Sequence, residues 1–288
     1  MEQPRSAGDA RVDLGVWAVA RKAVVVNASA AVRAAVRRTT PIEAEIDDRP
    51  PLLNAAVRAM RPHQWVKNLL VFVPIFTAHA IGNLHAWLAA FAMFGAFCAM
   101  ASSIYLVNDL SDLPSDRRHP RKRKRPFASG ALPIPHGLAL AGFLFVVGVV
   151  LGALTGAAWV VLVYAAMSIS YSLQFKEKPL VDVFMLAALY TIRLYGGGEA
   201  TGYNLSLWLL GYSGFMFLSL ALVKRVEEVN AVARQPDRVM GRRGYGPPDA
   251  PILQAFGCGA AFASSLVLAL FVQAEAAAGR YASPVLLW

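Results

Sequence analysis

Cysteine is scarce in this sequence, since Cys98 and Cys258 are the only two among 288 residues. Two cysteines are too few for the multi-bridge framework of small secreted domains or for a structural zinc site built from thiolates. Both stand in apolar, helix-like stretches, where a free thiol behaves as a small hydrophobic group. We therefore expect two buried, unpaired thiols, and neither a disulfide nor a metal site that uses them.

Charged residues are also few. Asp, Glu, Lys and Arg make up 16% of the chain, and hydrophobic residues make up 57%, whereas a soluble domain has about 45–50% apolar residues. Several segments exceed the roughly 18 apolar residues that indicate a membrane-spanning helix. A sheet with open edges cannot satisfy its backbone groups in lipid. The composition thus predicts an all-α, polytopic transmembrane helical bundle surrounded by membrane lipid.

The positive charge is concentrated in one place. The net charge is +10, and seven Lys or Arg residues stand within positions 117–125. A nucleic-acid-binding protein carries a soluble basic face or a recognisable binding module, and this sequence shows neither. We therefore expect no nucleic-acid partner.

Seven apolar segments are predicted to span the membrane, the third and fourth separated only by a tight turn with glycine. Their predicted limits are 64–82, 87–110, 137–156, 157–175, 179–200, 205–224 and 251–275. Connections with and without Lys or Arg alternate along the chain. Because basic connections stay in the cytoplasm, we predict a multi-pass protein of the cell (inner) membrane, with the N-terminus and every basic loop on the cytoplasmic side.

The first 50 residues differ from the rest of the chain. The stretch 14–32 is apolar, but Arg21 and Lys22 stand in its middle, where a charge is costly at the centre of a bilayer. We predict a surface helix there, and no signal peptide, because no compact apolar region with a small-residue cleavage site follows a basic start. The expected division is an N-terminal cytoplasmic or interfacial segment, 1–54, and a transmembrane domain, 55–288.

Acidic residues recur at the end of the second predicted span. In the stretch "NDLSDLPSD", Asn108, Asp112 and Asp116 are four residues apart and share one helical face, with Asp109 one step round. Carboxylates on one face repel each other unless basic neighbours or a divalent cation neutralise them. Hard oxygen ligands of this kind suit Mg²⁺, which completes its shell with substrate phosphate and water.

Further polar clusters are predicted at the same membrane face, in "RPHQWVKN" (61–68), "YSLQFKEKPLVDV" (171–183) and "KRVEEVN" (224–230). Arg193 is different, because it lies inside the fifth predicted span. An arginine at that depth indicates either a functional site with an anionic ligand or an ion pair inside the bundle, for which Glu199 is the candidate partner. Together the clusters predict a cytoplasm-facing pocket for a metal-bound phosphorylated molecule.

These residues resemble a known family. "NDLSDLPSD" is similar to the NDxxDxxxD motif of the UbiA-type intramembrane prenyltransferases. The four quoted stretches look most like the branch that contains decaprenyl-phosphate phosphoribosyltransferases, over roughly 55–275. The resemblance implies an all-α bundle of nine spans, so we expect this chain, with seven, to be shortened at its C-terminus. Some relatives carry an N-terminal phosphatase-like domain, but 1–50 lack its DxDx[TV] motif, and 34–50 are expected to be a linker.

The resemblance also implies roles for individual residues. The implied ligands of Mg²⁺ and the donor diphosphate are Asn108, Asp109, Asp112 and Asp116. The predicted catalytic residues are Asp109, Asp112, Lys176, Asp182 and, because of its depth in the fifth span, Arg193. The predicted substrate-binding residues are Lys67, Asn68, Arg118, Lys122, Arg125, Tyr171 and Lys224. The second motif of many relatives has two aspartates four residues apart, whereas "KEKPLVD" supplies only Asp182, which favours one carboxylate-rich metal site over two.

The function implied is transfer of a phosphoribosyl group from phosphoribosyl diphosphate to a polyprenyl phosphate, with Mg²⁺ as cofactor and a homo-oligomer as one possible state. The alternative within the family is prenyl transfer from a prenyl diphosphate to an aromatic or other acceptor. A transporter or channel without chemistry is the third alternative. It is disfavoured because we find no internal repeat and because the acidic motif lies at a span end, away from the midplane.

Overall fold

A computed structural model describes residues 6–9, 11–47, 51–234 and 244–277. The chain divides into two compact units, Met1–Ala55 and Ala56–Trp288. Each unit is described by itself.

The first unit is a small α/β structure. Its elements are β1 (Ser6–Gly8), α1 (Leu14–Val19), β2 (Ala23–Val26), α2 (Ala30–Thr39) and β3 (Ile42–Ile46). The three strands form a parallel sheet in the order β1-β2-β3. Parallel strands need a crossover connection, which the helices between them supply.

This unit overturns two expectations. The stretch 14–32 is not one surface helix, and 34–50 is not only a linker, because both contribute to the sheet and its two helices. The cause is local: the β-branched run in β2 favours a strand, and the Ser29 side chain caps α2 by accepting a hydrogen bond from the Val32 N–H. Trp17 is completely buried and its indole N–H donates to the Ser6 carbonyl at 3.1 Å. The predicted all-α bundle is confirmed in the second unit, and the first unit adds a small parallel sheet that was not predicted.

The described part of the second unit contains helices and the connections between them, without a strand, and α3 (Leu52–Met60) crosses the boundary between the units. A long 3₁₀ helix, Pro62–Phe72, follows α3. The remaining α-helices are α4 (Val73–Thr77), α5 (Leu84–Ser111), α6 (Leu113–Arg118), α7 (Ile134–Leu154), α8 (Ala158–Leu173), α9 (Val181–Thr201), α10 (Leu207–Arg234) and α11 (Ala250–Ala277).

Four of the described helices are long and apolar enough to cross a membrane: α5, α7, and the segments Leu207–Val232 and Pro247–Ala274. The shorter α8 is also apolar. Helix α9 matches the fifth predicted span closely, but it carries Asp182, Arg193 and Glu199. The total of seven spans thus remains a prediction.

The first predicted span, 64–82, is wrong as a single α-helix. It consists of the 3₁₀ helix Pro62–Phe72 and the five-residue α4. Arg61 starts it in the left-handed backbone region, with φ of 55°. Pro74, which has no N–H to donate, stands in the first turn of α4. The segment is therefore a 3₁₀ helix, which is wound more tightly than an α-helix, followed by a short α-helix.

Helix α5 is the centre of the bundle, since 67% of its most apolar stretch is buried. Helix α9 packs closely against the 3₁₀ helix at Gly197, where an added Cβ would lie 2.1 Å from the Val71 carbonyl oxygen. Cys98 is buried in α5 as expected, but Cys258 is exposed on α11. The expectation of a second buried thiol was wrong because an apolar sequence does not say which helical face meets other helices.

Candidate active site

A cavity of about 670 Å³ opens among the ends of the helices of the second unit. Seven basic side chains line it, against three acidic ones. The basic residues are Arg61, Lys67, Lys122, Arg125, Lys176, Arg193 and Lys224, and the acidic residues are Asp109, Asp112 and Glu177. A cleft lined mainly by one sign of charge concentrates ligands of the opposite sign. The cavity is therefore suited to an anionic ligand.

One side of the cavity is formed by the end of α5 and the loop after it. Asp109 is buried, and its Oδ1 lies 2.5 Å from Arg61 Nη2 and 3.0 Å from Arg125 Nη1. Arg125 also lies 2.7 Å from Asp116 Oδ2. We call Arg61, Asp109, Asp116 and Arg125 the outer ion-pair cluster.

The remaining members of the acidic motif have separate environments. Asp112 is exposed and lines the cavity. Asn108 also lines it and donates from Nδ2 to Ser172 Oγ at 3.0 Å. Asp116 is buried behind the lining, where its Oδ1 accepts no hydrogen bond from any described residue and lies 3.9 Å from Lys122 Nζ. The predicted four-residue face is thus divided, because α5 ends at Ser111 and α6 carries Asp116.

The predicted Mg²⁺ ligands are gathered only in part. In the described part of the chain, no group of three or more His, Cys, Asp or Glu side chains is placed to hold a metal ion. Asn108, Asp109 and Asp112 nevertheless line the same cavity. Mg²⁺ commonly uses one or two carboxylates and completes its shell with water and phosphate. This donor set fits such a site, and Mg²⁺ binding stays a prediction.

The other side of the cavity contains Arg193, which is only 5% exposed. Its Nε donates to Asn68 Oδ1 at 2.7 Å, its Nη2 donates to the Tyr164 hydroxyl at 3.0 Å, and its Nη1 donates to the Leu189 carbonyl. The alternative of an ion pair with Glu199 is wrong, since Glu199 instead hydrogen-bonds Tyr195. Arg193 is therefore held rigidly by neutral groups.

Aromatic rings organise the cations on this side. Arg193 lies over the ring of Tyr164 at 4.7 Å and over that of Tyr190 at 5.6 Å. Lys67 Nζ lies 5.9 Å from the same Tyr190 ring. Tyr190 in turn stacks on Phe217 of α10, with ring centroids 5.1 Å apart. The rings hold two like charges close together by cation–π attraction.

Asp182 lies outside the cavity lining and is completely buried. Its Oδ2 lies 2.6 Å from Arg225 Nη2, and its Oδ1 accepts a hydrogen bond from the Tyr245 hydroxyl at 2.6 Å. Tyr245 also accepts from the Leu180 N–H at 2.6 Å. Burial, followed by the hydrogen bond to Asp182, raises the pKa of Tyr245 to about 12. Asp182 thus joins the start of α9 to α10 and to the segment before α11.

The structure brings ten of the fourteen predicted site residues to the cavity. These are Lys67, Asn108, Asp109, Asp112, Lys122, Arg125, Tyr171, Lys176, Arg193 and Lys224. Four lie elsewhere: Asp116 and Asp182 are in buried ion pairs, Asn68 is buried beneath Arg193, and Arg118 donates to the Pro114 carbonyl at 3.2 Å. None of these four lines the cavity, and a direct contact with ligand stays a prediction for them.

Sequence reasoning missed several lining residues. Arg61 was missed although it opens the quoted stretch 61–68, and its basic character was a usable signal. Tyr105, Tyr164 and Tyr190 also line the cavity. A tyrosine in an apolar helix carries no local signal, because either face of the helix can be buried.

Comparison with known proteins identifies the family. A sequence model of the UbiA prenyltransferase family matches residues 68–288. The uncharacterized protein y4nM of Sinorhizobium fredii is 34% identical over 273 residues, which cover 93% of this chain and 53% of that protein. The decaprenyl-phosphate phosphoribosyltransferase of Corynebacterium glutamicum is 38% identical over 199 residues, covering 66% of this chain and 60% of that enzyme. This chain thus spans roughly half to three fifths of these two relatives.

The fold agrees with this match. The structure of a UbiA homologue from Archaeoglobus fulgidus bound to GPP and Mg²⁺ superposes with a TM-score of 0.59 at 18% identity, over 75% of this chain and 78% of that one. At that identity the likeness concerns the fold alone. With its apolar helices, its acidic motif and the family match over most of its length, the chain is an integral membrane protein that belongs to the UbiA prenyltransferase family.

Proposed function

We propose that the protein transfers a phosphoribosyl group from phosphoribosyl diphosphate to a polyprenyl phosphate, in the presence of Mg²⁺. The observation that carries this proposal is the lining of the cavity, where seven basic side chains outnumber three acidic ones. A reaction between a diphosphate and a phosphate monoester brings two polyanions together, and it requires such an excess of positive charge. The name of the Corynebacterium glutamicum relative supports the choice of substrates.

In the proposed reaction a phosphate oxygen of the lipid attacks the anomeric carbon of ribose. A new carbon–oxygen bond forms as the bond to the diphosphate breaks, and the configuration at that carbon inverts. The second pKa of a phosphate monoester is about 6, so the attacking oxygen is already anionic at neutral pH. The site then needs positioning and charge stabilisation more than a strong general base.

The residues of the chain have distinct proposed roles. Lys122 and Lys176 hold phosphate oxygens as cations at the cavity lining, while Arg61 and Arg125 fix the Asp109 carboxylate. Asn108, Asp109 and Asp112 are the proposed contacts of Mg²⁺, which when bound would neutralise the diphosphate and make it a better leaving group.

Prenyl transfer to another acceptor is the second candidate, because the family is named for it. The position of Asp182 disfavours it. Its buried contacts with Arg225 and Tyr245 place this carboxylate behind the cavity lining, which argues against a second metal site there.

The basic loops support placing the cavity at the cytoplasmic face of the inner membrane, because basic connections tend to stay in the cytoplasm.

The test is a transfer assay with the purified full chain in lipid nanodiscs. Labelled phosphoribosyl diphosphate, Mg²⁺ and a polyprenyl phosphate are incubated together, and label is measured in the organic phase. We expect organic-phase label that requires both Mg²⁺ and the lipid phosphate. A parallel reaction contains a labelled prenyl diphosphate and an aromatic acceptor. Prenylated acceptor without any ribosylated lipid would overturn the proposal in favour of the second candidate.

A further inference from the structure

The basic residues of the cavity differ in how their charge is compensated. Arg61 and Arg125 belong to the outer ion-pair cluster, in which Asp109 and Asp116 provide the opposite charges. Lys122 lies 3.9 Å from Asp116. The protein therefore neutralises most of the charge on this side by itself.

Lys67, Arg193 and Lys224, which we call the inner cation cluster, have no such compensation. Within the described residues, none of the three forms an ion pair with a carboxylate; the partners of Arg193 are an amide, a hydroxyl and a backbone carbonyl. Removing an unpaired charge from water is costly, and buried charges are normally paired. A buried guanidinium surrounded by neutral groups and by two further cations therefore indicates a missing anion.

Within the inner cation cluster, the contacts of Arg193 lie deeper in the bundle than the acidic motif. Asn68, which holds Arg193, donates to Cys98 Sγ at 3.2 Å. Cys98 and Asp109 both belong to α5 and are eleven residues apart. At 1.5 Å per residue this separation is about 16 Å along the helix axis. A diphosphate held at Asp109 and Asp112 therefore leaves the contact between Asn68 and Arg193 accessible to a second anionic group.

The guanidinium retains free hydrogen-bonding capacity. Arginine has five N–H groups, and three are accounted for by Asn68, Tyr164 and Leu189. Two N–H groups remain on a side chain that lines the cavity, which is the number needed to bind two oxygens of one phosphate side by side. Lys67 and Lys224, from other segments, line the same cavity.

We propose that the inner cation cluster is a binding site for a phosphate monoester dianion, separate from the site of the diphosphate. The inference rests on the proposed function only for the choice of ligand, because two reactants of that reaction carry such a group. One is the phosphate of the polyprenyl lipid, and the other is the 5-phosphate of the ribose donor. Both would present three oxygens to Lys67, Arg193 and Lys224.

The test measures binding without turnover. Farnesyl phosphate in detergent and ribose 5-phosphate in buffer are titrated separately into the purified full chain, without Mg²⁺ or diphosphate, by calorimetry. Farnesol and ribose are the uncharged controls. We expect one phosphate to bind and its uncharged counterpart not to bind. Binding of farnesyl phosphate alone assigns the site to the lipid, and binding of ribose 5-phosphate alone assigns it to the donor.

Variants locate the binding. Lys67→Gln and Lys224→Gln are expected to weaken the bound monoester about tenfold each, while Lys178→Gln leaves it unchanged. Lys178 is a matched control, because it is an exposed lysine over Phe175 and outside the cavity lining. Arg193→Lys keeps the charge but loses the hydrogen bonds, and we expect it to weaken binding without loss of helicity.

The inference is overturned if neither phosphate binds, or if Lys67→Gln and Lys224→Gln bind as tightly as Lys178→Gln. Its failure is distinguishable from failure of the proposed function. If the protein binds a monoester at these residues but makes no ribosylated lipid, the inference stands and the proposed function is wrong. If the protein makes ribosylated lipid but these substitutions do not affect monoester binding, the proposed function stands and the inference is wrong.

Discussion

The guanidinium of Arg225 lies 2.6 Å from the carboxylate of Asp182, and both side chains are buried, with 2% and 0% of their surfaces exposed. The contact joins α10 to the first turn of α9. Lys224, next to Arg225, and Lys176, six residues before Asp182, both line the cavity. The ion pair is therefore placed to fix two cavity-lining cations without touching a ligand.

Neutralising Asp182 should destabilise the fold. Asp182→Asn would leave the buried Arg225 with only the partly exposed Glu228 as its opposite charge, and breaking a buried pair costs up to about 3–5 kcal/mol. We expect a clearly lower thermal unfolding midpoint in detergent, whereas Asp112→Asn, at an exposed carboxylate, unfolds like the parent. If Asp182→Asn melts normally but loses turnover, Asp182 has a chemical role instead.

Asp112→Asn should instead impair the reaction. Asp112 is an exposed carboxylate at the cavity, so its loss removes a proposed Mg²⁺ contact without disturbing a buried ion pair. We expect turnover to fall more than tenfold, or over about 1.4 kcal/mol of barrier, with a higher Mg²⁺ requirement. Glu227→Gln, at an exposed carboxylate of α10, is the control. An Asp112→Asn protein that retains over a tenth of its activity at every Mg²⁺ concentration refutes the assigned role.

In the basic loop 117–125, we expect one side chain to contribute to binding of the donor and another not to contribute. Lys122 lines the cavity, whereas Arg118 donates to the Pro114 carbonyl on α6. Lys122→Gln is expected to raise the apparent KM for phosphoribosyl diphosphate several-fold, and Arg118→Gln to leave it unchanged. The measurement is initial rate against donor concentration at fixed ionic strength. Equal effects of the two substitutions would indicate general attraction by the loop.

Alkaline pH should weaken the contact between Tyr245 and Asp182. The pKa of Tyr245 is raised from about 10 to about 12, so between these values the folded protein holds a proton that the unfolded chain has lost. Its stabilising contribution is complete below pH 10 and is lost as pH rises through about 12. We expect the unfolding midpoint to fall more steeply between about pH 10 and 12 in the parent than in Tyr245→Phe. Parallel curves would contradict the raised pKa.

Gly197 should not tolerate a methyl group. An added Cβ would lie 2.1 Å from the Val71 carbonyl oxygen, which is backbone and cannot rotate away. We expect Gly197→Ala to lower the unfolding midpoint, although alanine is the better helix former by about 1 kcal/mol. Gly142→Ala on α7, where nothing lies within 4 Å of the added atom, is the matched control. A similar midpoint for both variants would show that α9 and the 3₁₀ helix can separate freely.

The sequence was informative where local pattern decides structure. The acidic motif was correctly placed at the end of a long apolar helix, and the limits of α7 and α9 agree with the predicted spans within a few residues. The contacts that set the roles of Asp182 and Asn68 were not predictable. Their partners are 43 and 125 residues away, and the same residue types serve equally as ligands or as supports. The strand β2 was not predicted because Arg21 and Lys22, which precede it, were considered only as charges that exclude a membrane span.

The 3₁₀ helix Pro62–Phe72 also sets the register of its neighbour. Arg193 and Gly197 are four residues apart on α9, and their contacts, Asn68 and Val71, are three apart on the 3₁₀ helix. Four α-helical steps and three 3₁₀ steps each advance the chain by about 6 Å. The two contacts therefore have the same spacing along both helices. An α-helical segment would advance only about 4.5 Å over those three residues, and the hydrogen bond to Arg193 and the contact at Gly197 would no longer coincide.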